Sequence, residues 1–138
     1  MNKSLLDTDI LSEISKGIAP NVARNASAYR TAFGRYTISV ITIMEVVRGF
    51  QKKGSASRLQ RFLTSISSEE ILVFDQAAAE LAGRIVGDLE RVGQPIGRAD
   101  PMIAAIALQH GLELVTGNSI HYQRIEQLGY PLTLVNWR

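Results

Sequence analysis

The chain has 138 residues, 46% hydrophobic and 20% charged, with 15 lysines and arginines against 13 acids for a net charge of +2. That length and balance suit one compact domain that buries roughly two thirds of its unfolded surface, and no apolar run approaches the ~20 residues of a membrane span. The absence of cysteine excludes disulfides and thiolate metal sites, and the two histidines are too few for a His/Cys zinc centre, so any metal is expected to be held by oxygen.

The first residues, MNKSLLDTD, carry only a pair of leucines ahead of their acids and do not resemble a signal peptide, so a cytoplasmic location is expected. Ser4 to Asp7 reads as a strand-like entry. Thr8 and Asp9 then open a helix through Ile10, Leu11 and Ile14 that Gly17 ends. A second helix is predicted from Pro20 to about Phe33, followed by a β-branched and aromatic strand from Tyr36 to Val40. Thr42 to Phe50 is helical again, closed by Lys52-Lys53-Gly54. A further helix fits Ser57 to Ile66, with Leu59, Phe62, Leu63 and Ile66 on one face, before a strand from Ile71 to Phe74. Asp75 caps a long helix carrying Ala79, Leu81, Ala82, Ile85, Val86 and Leu89, which stops at Gly93.

Gln94-Pro95-Ile96-Gly97 is a turn, and Asp100-Pro101 reads as an N-cap followed by proline at the first helical position. Ile103, Ala104, Ala107 and Leu108 recur at helical spacing up to Gly111, which puts Asp100 one turn before the stripe on the buried side. Leu112 to Val115 is a short buried strand ending in the turn Thr116-Gly117-Asn118. The helix that starts at Asp100 runs antiparallel to this strand, so Asp100 and Asn118 should be neighbours in space. A last strand is predicted at Pro131 to Val135. With no internal repeat or linker, the expectation is a single α/β domain over residues 1–138, with a mostly parallel central sheet flanked by helices.

In such sheets ligands sit beyond the C-terminal strand ends, and three acids converge there. Asp7 follows the first strand, Glu45 lies in the first turn of the helix after the second, and Asp100 opens the helix before the fourth. Each also has a purely local explanation. Asp7 and Asp100 suit helix caps, Glu45 completes a capping box with Thr42, and Asn118 is an ordinary turn residue. Two carboxylates about 4 Å apart repel by ~4 kcal/mol at an effective dielectric of 20, so capping alone does not explain clustering them. A divalent cation removes the conflict. Carboxylates with an amide or hydroxyl nearby suit Mg²⁺ or Mn²⁺, which points to phosphodiester hydrolysis.

The segments LLDTDILSE, SVITIMEVVRG, QPIGRADPMIAAIA and LVTGNSIHYQRI, running on to LVNW, together resemble PIN-domain ribonucleases, specifically the toxin half of VapBC-type toxin–antitoxin pairs. Each motif alone is weak, whereas their order and spacing across almost the whole chain are specific. The resemblance implies an endoribonuclease whose Mg²⁺ site is made by Asp7, Glu45 and Asp100. It also implies a homodimer inhibited by a cognate antitoxin, with operator DNA bound only through that antitoxin. Many members carry a fourth aspartate where this chain has Asn118, which leaves open whether one cation or two are held.

Between Ile14 and Ser68 the chain has nine basic residues and one acid, Glu45. Such a block can guide an RNA backbone, receive an acidic segment of an antitoxin, or simply be a solvated face. Thr116 is a candidate for orienting a water or substrate oxygen, and His121 and Tyr122 lie near enough to reach a substrate. His110 suits the C-terminus of its helix, and Trp137 an anchoring role at the chain end. Two rival functions remain to be weighed. Asp7-Thr8-Asp9 imitates a haloacid-dehalogenase-type phosphatase, but no lysine and only Glu126 follow Thr116, so that chemistry lacks its partners. The other rival is a non-catalytic module that grips nucleic acid or a partner with the same acidic pocket.

Overall fold

The computed structural model describes residues 1–138. In chain order its elements are β1 (Ser4–Leu6), α1 (Thr8–Lys16), α2 (Pro20–Phe33), β2 (Thr37–Ser39), α3 (Val40–Lys53), α4 (Ala56–Ser65), β3 (Glu70–Leu72), α5 (Gln76–Arg91), α6 (Ala99–His110), β4 (Glu113–Val115), α7 (Ser119–Gln127) and β5 (Leu134–Val135). β1 pairs in parallel with β4 and β4 with β5, while β2 pairs in parallel with β3. β1 also lies beside β2 without a shared ladder. Thr8, just after β1, bonds to Thr42, just after β2, and Lys3 before β1 pairs with Glu70 at the start of β3. All five strands therefore point the same way, and their C-terminal ends share one edge.

Strand side chains alternate between faces, and the two cores follow that period of two. Leu5 and Leu114 enter one core with α5, α6 and α7; Leu6, Val115 and Ile38 enter the other with α1 and α2. Leu5 sits opposite Leu114 and Leu6 opposite Val115, so a one-residue slip would exchange both layers at once. This alternation fixes Asp7, the next residue, at the strand end with its backbone N–H still bonded to the Val115 carbonyl at 2.9 Å.

α6 is the most buried helix. Every residue from Ile103 to Ala107 is fully enclosed, not only the stripe the periodicity marks out, because a helix apolar on all sides is stable only when covered on all sides. Its alanines admit α5 closely, which faces it with Ala78, Ala82, Ile85 and Leu89. Gly111 ends the helix at φ 62°, a left-handed value that a side chain would oppose. The second core gathers on Tyr29, whose hydroxyl donates to the Ser4 carbonyl and accepts from the Ser4 N–H. Trp137 packs 5.8 Å from that ring and is buried, so it anchors the chain end.

Several expected boundaries move. The second strand is Thr37–Ser39, because Ser39, not Thr42, caps α3 by accepting the Thr42 N–H. The third strand is Glu70–Leu72 and the last is only Leu134–Val135. α7 is an additional helix. Its starting segment carries Thr, Gly, Asn and Ser, which look like a turn, yet Tyr122 and Ile125 bury at helical spacing.

Candidate active site

Asp7 is the N-cap of α1 and is also almost wholly buried, at 4% exposure. Its Oδ1 accepts the Thr8 N–H at 2.8 Å and its Oδ2 accepts the Thr116 hydroxyl at 2.8 Å. No lysine or arginine pairs with it. Burial pushes its pKa up to about 7, and the nearby charges of Asp9 and then Asp100 add to the shift against the two hydrogen bonds. A cap alone would not require that burial, since a surface cap makes the same bonds at no desolvation cost.

Asp100 is not a cap. α6 begins one residue earlier, with Arg98 in the cap position, and the Asp100 side chain turns away from its own helix. Its Oδ1 accepts the Tyr122 hydroxyl at 3.2 Å, and its Oδ2 accepts from Asn118 Nδ2 at 3.2 Å and lies 3.3 Å from His121 Nδ1. Asn118 stands in the cap position of α7 but makes no capping bond, which leaves its amide free for Asp100. The predicted proximity of Asp100 and Asn118 is thus observed.

Tyr122 joins the two aspartates. It is fully buried, and desolvation followed by the charges of Asp7 and Asp100 holds its phenol well above the ordinary pKa, so it stays a donor between them. Asp9, in contrast, is consumed locally. Its Oδ1 accepts the Ile10 N–H, and its Oδ2 accepts the Gly117 N–H at 2.9 Å and pairs with Arg138. A Cβ on Gly117 would meet only the end of the flexible Arg138 side chain, which bridges Asp9 and Glu13 over the turn after β4.

Glu45 reaches the same edge by another route. The expected capping box is absent, because Ser39 is the cap and Glu45 leans across to the Thr8 hydroxyl at 2.6 Å. Thr8 also bonds Thr42 at 3.0 Å, which ties the starts of α1 and α3 together. The expected cluster of three carboxylates is therefore a pair, Asp7 and Asp100 about Tyr122, with Glu45 held one residue away by Thr8. No three His, Asp or Glu side chains gather closely enough to hold a metal by themselves.

Glu45 and Thr8 form one end of a groove of about 750 Å³ between α1, α3 and α4. Phe50 and Phe62 lie on its floor, their ring centroids 6.4 Å apart, and Lys16, Lys53, Arg58 and Arg61 stand around it without an acidic partner. The basic block is thereby divided. Arg30 pairs with Glu69 at 2.8 Å and lies over the Tyr36 ring, and Arg35 pairs with Glu70, so these two have structural work.

The family description "PIN domain" matches residues 4–126, which include all of these side chains except Arg138. The chain belongs to the PIN-domain family. Among curated PIN relatives it is 32% identical to the tRNA(fMet)-specific endonuclease VapC of Shigella flexneri over 126 residues, 91% of this chain and 93% of that one. It is 39% identical to the protein of the same name from Salmonella typhimurium over 92 residues, 66% of this chain and 70% of that one. Its fold superposes on a chain of the DNA-bound VapBC complex from Salmonella typhimurium with a TM-score of 0.81 at 32% identity, covering 100% of both chains. A chain of VapBC2 from Rickettsia felis, bound to a DNA fragment from its promoter, gives 0.80 at 26% identity with 98% of each covered. The chain is thus a PIN domain of the VapC type.

Within this PIN domain, Thr8 and the linking role of Tyr122 are what residue-by-residue reading misses. Thr8 offers no signal beyond its place after Asp7. Tyr122 offers one, its position four residues after Asn118 and three before Ile125, which on a helix turns it inward under Asp100.

Proposed function

We propose that this PIN domain is a divalent-metal-dependent endoribonuclease, the toxin of a toxin–antitoxin pair in the cytoplasm, inhibited by its cognate antitoxin. The observation that carries the reading is Asp7, a carboxylate buried at the C-terminal edge of a parallel sheet, near Asp100, with no lysine or arginine paired to either. Such a donor set fits a hard cation. Asp7 and Asp100 would supply the charged oxygens, with Glu45 the third acid at the edge and Asn118 a neutral donor beside them. A divalent ion bound there supplies positive charge against the phosphodiester and makes a nearby water a better nucleophile.

The chain's own residues prepare that site. Thr116 fixes Asp7 through Oδ2, Tyr122 fixes Asp100 through Oδ1, and Thr8 restrains Glu45, so the carboxylates are set in place before any ligand arrives. The groove cations give a phosphate backbone a path that ends at Glu45, and the same groove suits an acidic segment of an antitoxin. The names of the relatives make the initiator tRNA the first substrate to test, and the VapBC complexes make an antitoxin the first partner, with DNA bound through it. The homodimer that the family resemblance implies is the assembly to test, and light scattering at micromolar concentration would show it as twice the chain mass.

The test is cleavage of initiator tRNA and of pooled cellular RNA. Wild type should cut with Mg²⁺ or Mn²⁺ and stop on chelation, and Asp7→Asn and Asp100→Asn should be inactive while folded. Metal-independent cutting, or wild-type rates in either variant, would remove the assignment. RNA binding without any cleavage would leave the non-catalytic binding module as the better account.

A further inference from the structure

Three polar atoms at the mouth of the site form a nearly equilateral triangle. Asp100 Oδ2, Asn118 Nδ2 and His121 Nδ1 are separated by 3.2, 3.2 and 3.3 Å. Hydrogen bonding cannot satisfy all three edges while Asp100 is ionised, because the carboxylate only accepts and Nδ1 has either one proton or one lone pair. If Nδ1 is bare it accepts from Asn118, and then two acceptors face each other along the Asp100–His121 edge. If Nδ1 carries a proton it donates to Asp100, and then two donors face each other along the Asn118–His121 edge. Turning the amide over relieves that edge and sets the Asn118 oxygen against Asp100 Oδ2. Each arrangement leaves one edge of the triangle without a hydrogen bond, while every group keeps a partner on another edge.

One occupant resolves every edge. Donors at right angles on an ion with bonds of about 2.1 Å stand roughly 3.0 Å apart, so three mutually adjacent ligands make a triangle of nearly these dimensions. The amide needs only to rotate by half a turn to present oxygen in place of nitrogen. His121 is 43% exposed and Asp100 19%, so the face opposite the triangle is open to water and to a phosphate oxygen.

We propose that His121 gives its Nδ1 to the divalent cation held by Asp100, with Asn118 turned to offer its amide oxygen, so that the site selects Mn²⁺ or Co²⁺ over Mg²⁺. An imidazole ligand favours the later ions, whereas an all-oxygen set serves Mg²⁺ equally well. The proposal rests on the metal-dependent reading above. It revises the expectation of an all-oxygen site, and it gives the departure at Asn118 a counterpart three residues later.

The test is binding of Mn²⁺ and Mg²⁺ alone, without RNA, to the full chain by calorimetry, with electron spin echo spectroscopy of the Mn²⁺ form. His121→Gln should weaken Mn²⁺ by roughly tenfold or more, with a much smaller effect on Mg²⁺. Wild type should show nitrogen modulation of the Mn²⁺ echo, His121→Gln should lose it, and His110→Gln should keep it, since His110 lies at the opposite end of α6. Binding of Mn²⁺ without nitrogen modulation, or with equal affinity in His121→Gln, would overturn the role of His121 and leave the acidic site standing. Failure of wild type to bind either ion would instead overturn the metal-dependent reading, and this inference with it.

Discussion

Replacing Asp7 by asparagine should make the metal-free domain more stable at pH 8, even though it abolishes the proposed activity. The buried carboxyl has its pKa pushed up from 3.8 to about 7, chiefly by desolvation. The sign follows from proton counting. Between those two values the folded state holds a proton that the unfolded chain has released, so stability falls as pH rises through this window and levels off above it. A displacement of that size corresponds to about 4 kcal/mol of destabilisation at pH 8. Asparagine removes the charge and keeps an acceptor for the Thr8 N–H, but it loses the bond that the protonated carboxyl accepts from Thr116, worth about 1 kcal/mol. The net gain is about 3 kcal/mol at pH 8 and close to zero at pH 4. In a domain of this length that is a Tm rise of about 10 °C. Urea titration with a chelator present, at both pH values, measures it. Saturating Mn²⁺ should narrow the difference, because the ion stabilises wild type and has lost a ligand in the variant. Equal stability of the two proteins at pH 8 in chelator, or a gain unchanged at pH 4, would mean that Asp7 is not the buried, unneutralised charge described.

Thr8→Val should release Glu45 and lower RNA cleavage by at least roughly tenfold while costing about 1 kcal/mol in urea titration, since the lost bonds lie at a half-exposed helix start. Tyr122→Phe keeps the ring in the core and removes the donor beside Asp100. It should cost about 1–2 kcal/mol in chelator, with a smaller loss when Mn²⁺ is present, and equal losses in both conditions would count against it. Asn118→Asp replaces a donor to Asp100 by a second carboxylate. It should destabilise the chelated protein by about 1–3 kcal/mol and strengthen binding of a second Mn²⁺, so unchanged calorimetric stoichiometry and affinity would make Asn118 a turn residue only.

The positions of Asp7, Asp100 and Asn118 were legible because each is fixed by strong local chemistry. A strand of alternating side chains ends at Asp7, a proline opens the helix at Asp100, and a glycine turn follows β4. In a parallel sheet those three signals point to one edge without any knowledge of packing. Side-chain direction was less legible. Asp100 and Glu45 both stand where a cap or capping box is plausible from spacing alone, and only the observed caps, Arg98 and Ser39, show that neither acid is so used. The choice between a cap and a cross-chain partner turns on what else occupies the helix start, and Thr8 lies 37 residues from Glu45 in sequence.

α7 explains why the partners of Asp100 were the hardest part to see. Its mean pattern is polar, its cap residue makes no capping bond, and only Tyr122 and Ile125 are buried on it, so propensity and periodicity are both weak there. What makes it a helix is tertiary. Tyr122 fills space under α6 and gives its hydroxyl to Asp100, which holds Asn118 and His121 on the same side of the site. The segment that local rules describe least well is therefore the one whose fold depends on the acidic edge. The dependence runs both ways, because without α7 in place the Asp100 carboxylate would have neither its phenol nor its amide donor.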